Sequence, residues 1–98
     1  MTINQELNGS VLTLALEGRL DTLTSPQLEE KLNASLEGVS DLVMDLEKLD
    51  YMSSAGLRVL LAAQKRMNQQ GSMKVTHVNP IIMEIFEVTG FSEILTIE

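Results

Sequence analysis

The sequence has no cysteine and no tryptophan, and its Phe and Tyr residues are limited to Tyr51, Phe86 and Phe91. Without cysteine there is no disulfide framework and no thiolate metal or redox site. A cysteine-free chain fits a reducing compartment. So few aromatics leave no platform for stacking bases and no aromatic cage for a cation. Positive charge is also scarce: seven Lys and Arg stand against fourteen Asp and Glu, for a net charge of −7. Nucleic acid and anionic membrane surfaces attract basic proteins, so both are set aside as partners. The acidity serves solubility, or steers a partner that carries a basic patch.

Other absences narrow the chemistry. No apolar run approaches the ~20 residues of a membrane span. The opening MTINQELNGS has neither the basic nor the apolar region of a signal peptide, so a cytoplasmic location is expected. Neither GxGxxG nor GxxxxGK[ST] occurs. One histidine and no cysteine do not make a zinc set. No GxSxG elbow supports a serine triad. His77 is expected to be structural, inside an apolar strand. The chain therefore reads as a binding module and not an enzyme, with no catalytic residue, no metal and no cofactor.

What is present is one domain, residues 1–98, large enough to bury a core without staples. No linker, repeat or charge block divides it. Thr2–Leu7 and Val11–Leu16 alternate at period two around the turn Asn8-Gly9-Ser10, which predicts a hairpin. Ser25-Pro26 predicts a helix start, with Ser25 as N-cap and Pro26 in the first turn. Leu28, Leu32 and Leu36 then line one face, and the helix is expected to end near Gly38.

Asp41–Leu46 is expected as a buried central strand. Residues 55–69 form the strongest helix, closed by Gly71. Met73–Val78 is a further strand, and Asn79-Pro80 caps a third helix that ends at Gly90. Ile94–Ile97 is a last strand. The fold class is α/β: an N-terminal hairpin followed by β-α repeats, giving a mixed, mostly parallel sheet covered by about three helices. The six methionines fall on apolar faces, where they fill gaps in a core.

Two segments carry candidate chemistry. Asp45, Glu47 and Asp50 stand at and after the end of the central strand, where open α/β sheets gather ligands. Carboxylates there can hold Mg²⁺, as in receiver domains. That fold also wants an acidic pair after its first strand and a late Lys. Here Glu17-Gly18-Arg19-Leu20-Asp21 follows the early strand, and a solvated loop is the reading taken.

The second segment is Leu49-Asp50-Tyr51-Met52-Ser53-Ser54-Ala55-Gly56-Leu57, joining the central strand to the strongest helix. One serine suffices to cap a helix. The second serine and the following Ala-Gly need another reason, and glycine permits close backbone approach. A serine at this point is also a good phosphorylation site, because helix N-terminal N–H groups and the dipole favour a phosphate.

This segment resembles the signature loop of the STAS domain, in particular that of the bacterial anti-sigma factor antagonists, and the likeness runs over nearly the whole chain. Gly18-Arg19-Leu20-Asp21 is similar to the family's Gly-x-Leu-Asp turn. Val43-Met44-Asp45-Leu46 is similar to the end of its central strand, Met52-Ser53-Ser54-Ala55-Gly56-Leu57 to its signature loop, and Thr89-Gly90-Phe91 to the end of its late helix.

The resemblance implies an antagonist that, unphosphorylated, binds an anti-sigma factor serine kinase and releases a sigma factor. Phosphorylation of the loop serine ends the complex, and a PP2C-type phosphatase restores it. It places the acceptor at Ser54 and partner contacts at Asp21, Thr22, Ser53, Ser54, Gly56 and Leu57. The well-studied antagonists carry Asp where this chain has Ser53, and Ser or Thr where it has Ala55. These differences bear on kinase recognition and make Ser53 a second candidate acceptor. The other reading is a constitutive STAS scaffold in a signalling assembly, with Ser54 only capping a helix. The family's usual C-terminal helix is not expected before Glu98. One sheet face is then less covered, which favours a weak homodimer.

Overall fold

The alternation of apolar residues at the start of the chain produces a sheet edge, and the helical repeats that follow cover one side of it. The computed structural model describes residues 1–98. Strand β1 (Thr2–Asn8) pairs antiparallel with β2 (Val11–Leu20), and the turn between them contains Gly9 at φ +59°. Helix α1 (Ser25–Ser35), strand β3 (Asp41–Met52), helix α2 (Ser54–Gln70), strand β4 (Ser72–Thr76) and helix α3 (Pro80–Thr89) follow. The sheet order is β1-β2-β3-β4, with β2, β3 and β4 parallel.

Strands that follow one another in this order, joined by right-handed crossovers, place α1 and α2 on the same side. Leu12, Leu14 and Leu16 of β2 and Leu42, Met44 and Leu46 of β3 point to that side and are buried. They join one cluster with Leu28 and Leu32 of α1, Leu57, Leu60 and Met67 of α2, and Ile82 and Phe86 of α3. Fully burying a side chain of this size contributes about 1.5–3 kcal/mol. The opposite face carries Thr13, Ala15, Val43, Asp45, Lys74 and Thr76, none of them buried.

Both long strands run past their expected ends, β2 to Leu20 and β3 to Met52. The reason is two irregularities in the β2–β3 ladder, between Ala15 and Glu17 and between Gly18 and Arg19, each leaving an extra residue on β3. Buried positions on β3 are then three apart, at Leu46, Leu49 and Met52. A β-bulge breaks the period-two signal while pairing continues.

The expected strand Ile94–Ile97 does not form. A 3₁₀ turn (Phe91–Glu93) leads instead to a single parallel bridge between Ile97 and Val75. Only Leu95 of that stretch is buried, so there is little apolar surface to hold a longer ladder. Helix α1 ends at Ser35, before Gly38. Its N-cap position is Thr24 and not Ser25. Ser25 is buried in the first turn, and its hydroxyl donates to the Asp21 carbonyl. Asn79 caps α3 as expected, accepting from the Ile82 N–H at 2.9 Å. No helix is long and apolar enough to cross a membrane.

Candidate functional site

Because β2 and β3 are parallel neighbours, their carboxyl ends lie side by side, with Leu20 paired to Met52. One residue further on, the Ser53 N–H donates to the Leu20 carbonyl at 2.9 Å. This bond ties the β3–α2 junction to the β2–α1 loop, so Asp21, Thr22, Ser53 and Ser54 belong to one edge of the domain.

The two serines have different fates. Ser53 occupies the N-cap position with an extended backbone (φ −94°, ψ 175°), yet its side chain caps nothing. Its hydroxyl oxygen is buried without a hydrogen-bond partner. Ser54 is the first residue of α2 and is exposed. The Leu57 N–H donates to the Ser53 carbonyl at 3.1 Å, and the N–H groups of Ser54, Ala55 and Gly56 have no acceptor within the chain. The expectation that one serine hydroxyl caps α2 is therefore corrected. The helix begins with unpaired donors and the positive end of its dipole beside the Ser54 hydroxyl.

Gly56 and Leu57 are buried. A Cβ on Gly56 would sit 2.7 Å from Leu20 Cγ and 3.0 Å from Met52 Cγ. Glycine at this point lets the first turn of α2 press against the two strand ends, which fixes where Ser54 stands. Gly56 and Leu57 thus set the position of the surface rather than form it.

The loop on the β2 side is held by its own hydrogen bonds. Asp21 Oδ1 accepts from the Leu23 N–H at 3.0 Å and the Thr24 N–H at 3.1 Å. The Asp21 N–H donates to Thr24 Oγ1 at 2.9 Å, and that hydroxyl donates to the Arg19 carbonyl at 2.8 Å. The Thr24 N–H holds the Asp21 carboxyl below the usual carboxylate range, helped by the Leu23 N–H and Arg19 and opposed by partial burial. Arg19 Nε lies 3.8 Å from Asp21 Oδ2, and the guanidinium lies 4.4 Å from the centroid of the Tyr51 ring.

The lowered Asp21 pKa makes a testable statement about acid. A carboxylate whose folded pKa is depressed contributes stability above its unfolded pKa, and that contribution is lost as pH falls through the folded value. Asp21→Asn is expected to lower the melting temperature by a few degrees near neutral pH, with the gap to wild type closing below about pH 4. Thermal unfolding of both proteins across that range checks it, and an unchanged gap in acid would show that the carboxylate charge is not what orders the loop.

Sequence reasoning missed Leu23. It sits at the tip of this pinned loop and is 90% exposed, the most exposed of the chain's large hydrophobic residues. Nothing in local spacing marks it, because exposure is a property of the assembled loop. Arg58 is exposed on α2 four residues after Ser54. In a helix that spacing places two side chains on one face.

His77 is not inside a strand. It follows β4 with a left-handed backbone (φ +55°), and its side chain is 61% exposed. Its Nδ1 lies 3.1 Å from Asp45 Oδ1, which also accepts from the Glu47 N–H at 3.0 Å. Asp45, Glu47 and His77 bring one ligand atom each within 4.8 Å of one another, and Asp50 is not among them. The grouping is a solvent-facing contact between the His77 imidazole and Asp45 with the Glu47 carboxylate alongside, and it differs from the acidic trio that the sequence suggested.

The fold and this edge define a small mixed-sheet α/β domain that presents a serine at a helix start. The STAS domain family model matches residues 2–98, and the chain belongs to that family. It is 35% identical over 99 residues to BtrV of Bordetella bronchiseptica, covering 99% of this chain and 85% of that one. It is 31% identical over 100 residues to the anti-sigma-B factor antagonist of Bacillus subtilis, covering 99% and 92%. Among solved structures it is similar to the Bacillus anti-sigma factor antagonist SpoIIAA. The unphosphorylated form superposes with a TM-score of 0.85 at 18% identity, over 99% of this chain and 88% of that one. The phosphorylated form gives 0.77 at the same identity, over 99% and 91%.

Proposed function

We propose that this protein is an anti-sigma factor antagonist whose Ser54 edge docks on an anti-sigma factor serine kinase in the cytoplasm. Phosphorylation of Ser54 ends that complex, and a PP2C-type phosphatase resets it. The observation that carries the reading is the exposed Ser54 hydroxyl at the first residue of α2, beside three unpaired N–H groups. Its relatives' role as antagonists supports the partner class.

A phosphate on Ser54 adds about −1.5 to −2 charge and three acceptor oxygens. The free amides of the first turn and the helix dipole favour that charge, so the modification leaves the domain folded. The change is one of surface: bulk and charge appear where a partner met a bare hydroxyl. Ser53 is poorly placed to compete as acceptor, because its oxygen is buried.

The docking edge also contains Thr22, Leu23 and Asp21, held in one conformation by the loop hydrogen bonds. An exposed apolar side chain carried on a hydrogen-bonded loop is the kind of anchor that fills a partner pocket. Leu23→Ser is expected to weaken kinase binding about tenfold or more while changing stability by less than about 0.5 kcal/mol. Calorimetric titration of both proteins into the kinase checks the first part and thermal unfolding the second. Unchanged affinity would remove Leu23 from the interface.

The test of the function as a whole is intact-mass measurement after incubation with ATP and the organism's anti-sigma factor kinases. One added phosphate mapped to Ser54 is the expected result. Absence of modification by every kinase, with stable binding to one, would replace the switch with a constitutive adaptor.

A further inference from the structure

Each helix of a small domain buries one stripe and turns the rest to water, and the outward residues of α1 and α2 follow that rule. Gln27, Glu29, Glu30 and Asn33 face out from α1, and Arg58, Lys65, Asn68 and Gln69 from α2. Helix α3 does not. It buries Ile82 and Phe86, yet Ile81 is 62% and Val88 80% exposed, with Ile85 half-buried between them. Residues 81, 85 and 88 follow the i, i+4, i+7 spacing of one helix face. Singly exposed apolar residues need no explanation, but a contiguous row rimmed by polar groups marks an interaction site. Together with Glu84 and Thr89 they line a shallow groove of about 330 Å³ that shares no residue with the Ser54 edge.

The rim decides the occupant. From Pro80 to Glu98 the chain carries Glu84, Glu87, Glu93 and Glu98 and no Lys or Arg. A second copy docking symmetrically through this row would bring α3 against α3 about its midpoint, with the two Glu84 carboxylates facing each other. Like charges opposed at an interface disfavour the self-complex, and the same charges favour a complex with a basic partner. We propose that the outer face of α3 is a second docking surface, and that its partner is an amphipathic helix with an apolar row flanked by Lys or Arg. Ile81, Ile85 and Val88 supply the apolar seat, and Glu84 and Glu87 fix the orientation and exclude self-pairing.

The test uses the full chain and two synthetic amphipathic helical peptides of about fifteen residues. Both carry leucines along one face; one is flanked by lysines and the other by glutamates. Amide-resolved NMR titration is expected to show saturable shifts centred on Ile81, Ile85 and Val88 with the lysine peptide only. Val88→Ser, at an exposed position, is expected to weaken binding about tenfold. The double variant Glu84→Lys, Glu87→Lys is expected to exchange the preference for the glutamate peptide. Shifts spread over the whole acidic surface, or an affinity unchanged by Val88→Ser, would overturn the proposal. Concentration-dependent shifts of α3 in the chain alone would overturn it too, by assigning the face to a homodimer.

Discussion

Gly71→Ala is expected to cost about 3 kcal/mol or more of stability, lowering the melting temperature by more than about 10 °C. The cause is not backbone dihedral strain, since Gly71 has φ 172°, an extended value open to any residue. It is space. A Cβ there would sit 1.8 Å from the Ser40 carbonyl oxygen and 2.7 Å from its carbon. These are backbone atoms, so no rotamer change relieves the contact.

Nor can Ser40 easily retreat. Its N–H donates to the Ser10 carbonyl at 2.9 Å and its hydroxyl to Ser10 Oγ at 2.7 Å. Its carbonyl accepts the Ser72 N–H at 2.8 Å, and next to it Asp41 pairs with Ser72 where β3 and β4 begin. Relief therefore requires opening the start of the β3–β4 ladder. Against this, alanine gains only about 0.4–1 kcal/mol from a less flexible unfolded chain. Urea denaturation of the variant measures the balance. Gly38→Asn is the control: its backbone is left-handed at φ +79°, asparagine tolerates that region, and nothing lies within 4 Å of an added Cβ. It is expected to be near neutral. An unchanged midpoint for Gly71→Ala would mean that the α2–β4 junction moves freely.

The same physics explains what could be read from the chain. Leu12, Leu14 and Leu16 announce β2 because a strand that faces a core on one side must alternate. The signal fails at Leu46, Leu49 and Met52, where bulges re-aim the side chains without ending the strand. Ser25 reads as a cap in the sequence because Ser-Pro opens many helices. Its neighbour Thr24 takes that position, since Asp21 draws the Ser25 N–H and hydroxyl toward its own carbonyl. Ile94–Ile97 has the composition of a strand but too little buried surface to become one.

At the candidate site, the start of α2 at Ser54 was legible because the Ser-Ser-Ala-Gly run makes sense only where a helix starts close against something else, which proved to be Leu20 and Met52. Leu23 and His77 were not legible. Whether a leucine is presented or buried, and which carboxylate a histidine meets 32 residues away, depend on the assembled sheet.

The largest functional effect is expected at Ser54 itself. If the Ser54 edge docks on a serine kinase as proposed, Ser54→Asp should weaken that binding at least about tenfold, and Ser54→Ala should leave binding within about threefold while removing the proposed phosphorylation. The asymmetry follows from where the side chain stands. It is exposed at the first turn of α2, so loss of the hydroxyl leaves no buried group unpaired and creates no cavity. A carboxylate there is tolerated by the fold, because acidic groups are favoured at helix N-termini by roughly 0.3–1 kcal/mol. Ser54→Asp should therefore melt at or slightly above the wild-type temperature while losing its partner. That combination separates an interface effect from an unfolding effect, which would lower both. Calorimetric binding and thermal unfolding on the same preparations give the two numbers. If Ser54→Asp bound the kinase as tightly as wild type, charge at this edge would not be the switch. If it instead lost both binding and stability, the first turn of α2 would be packed more tightly than its free amides indicate.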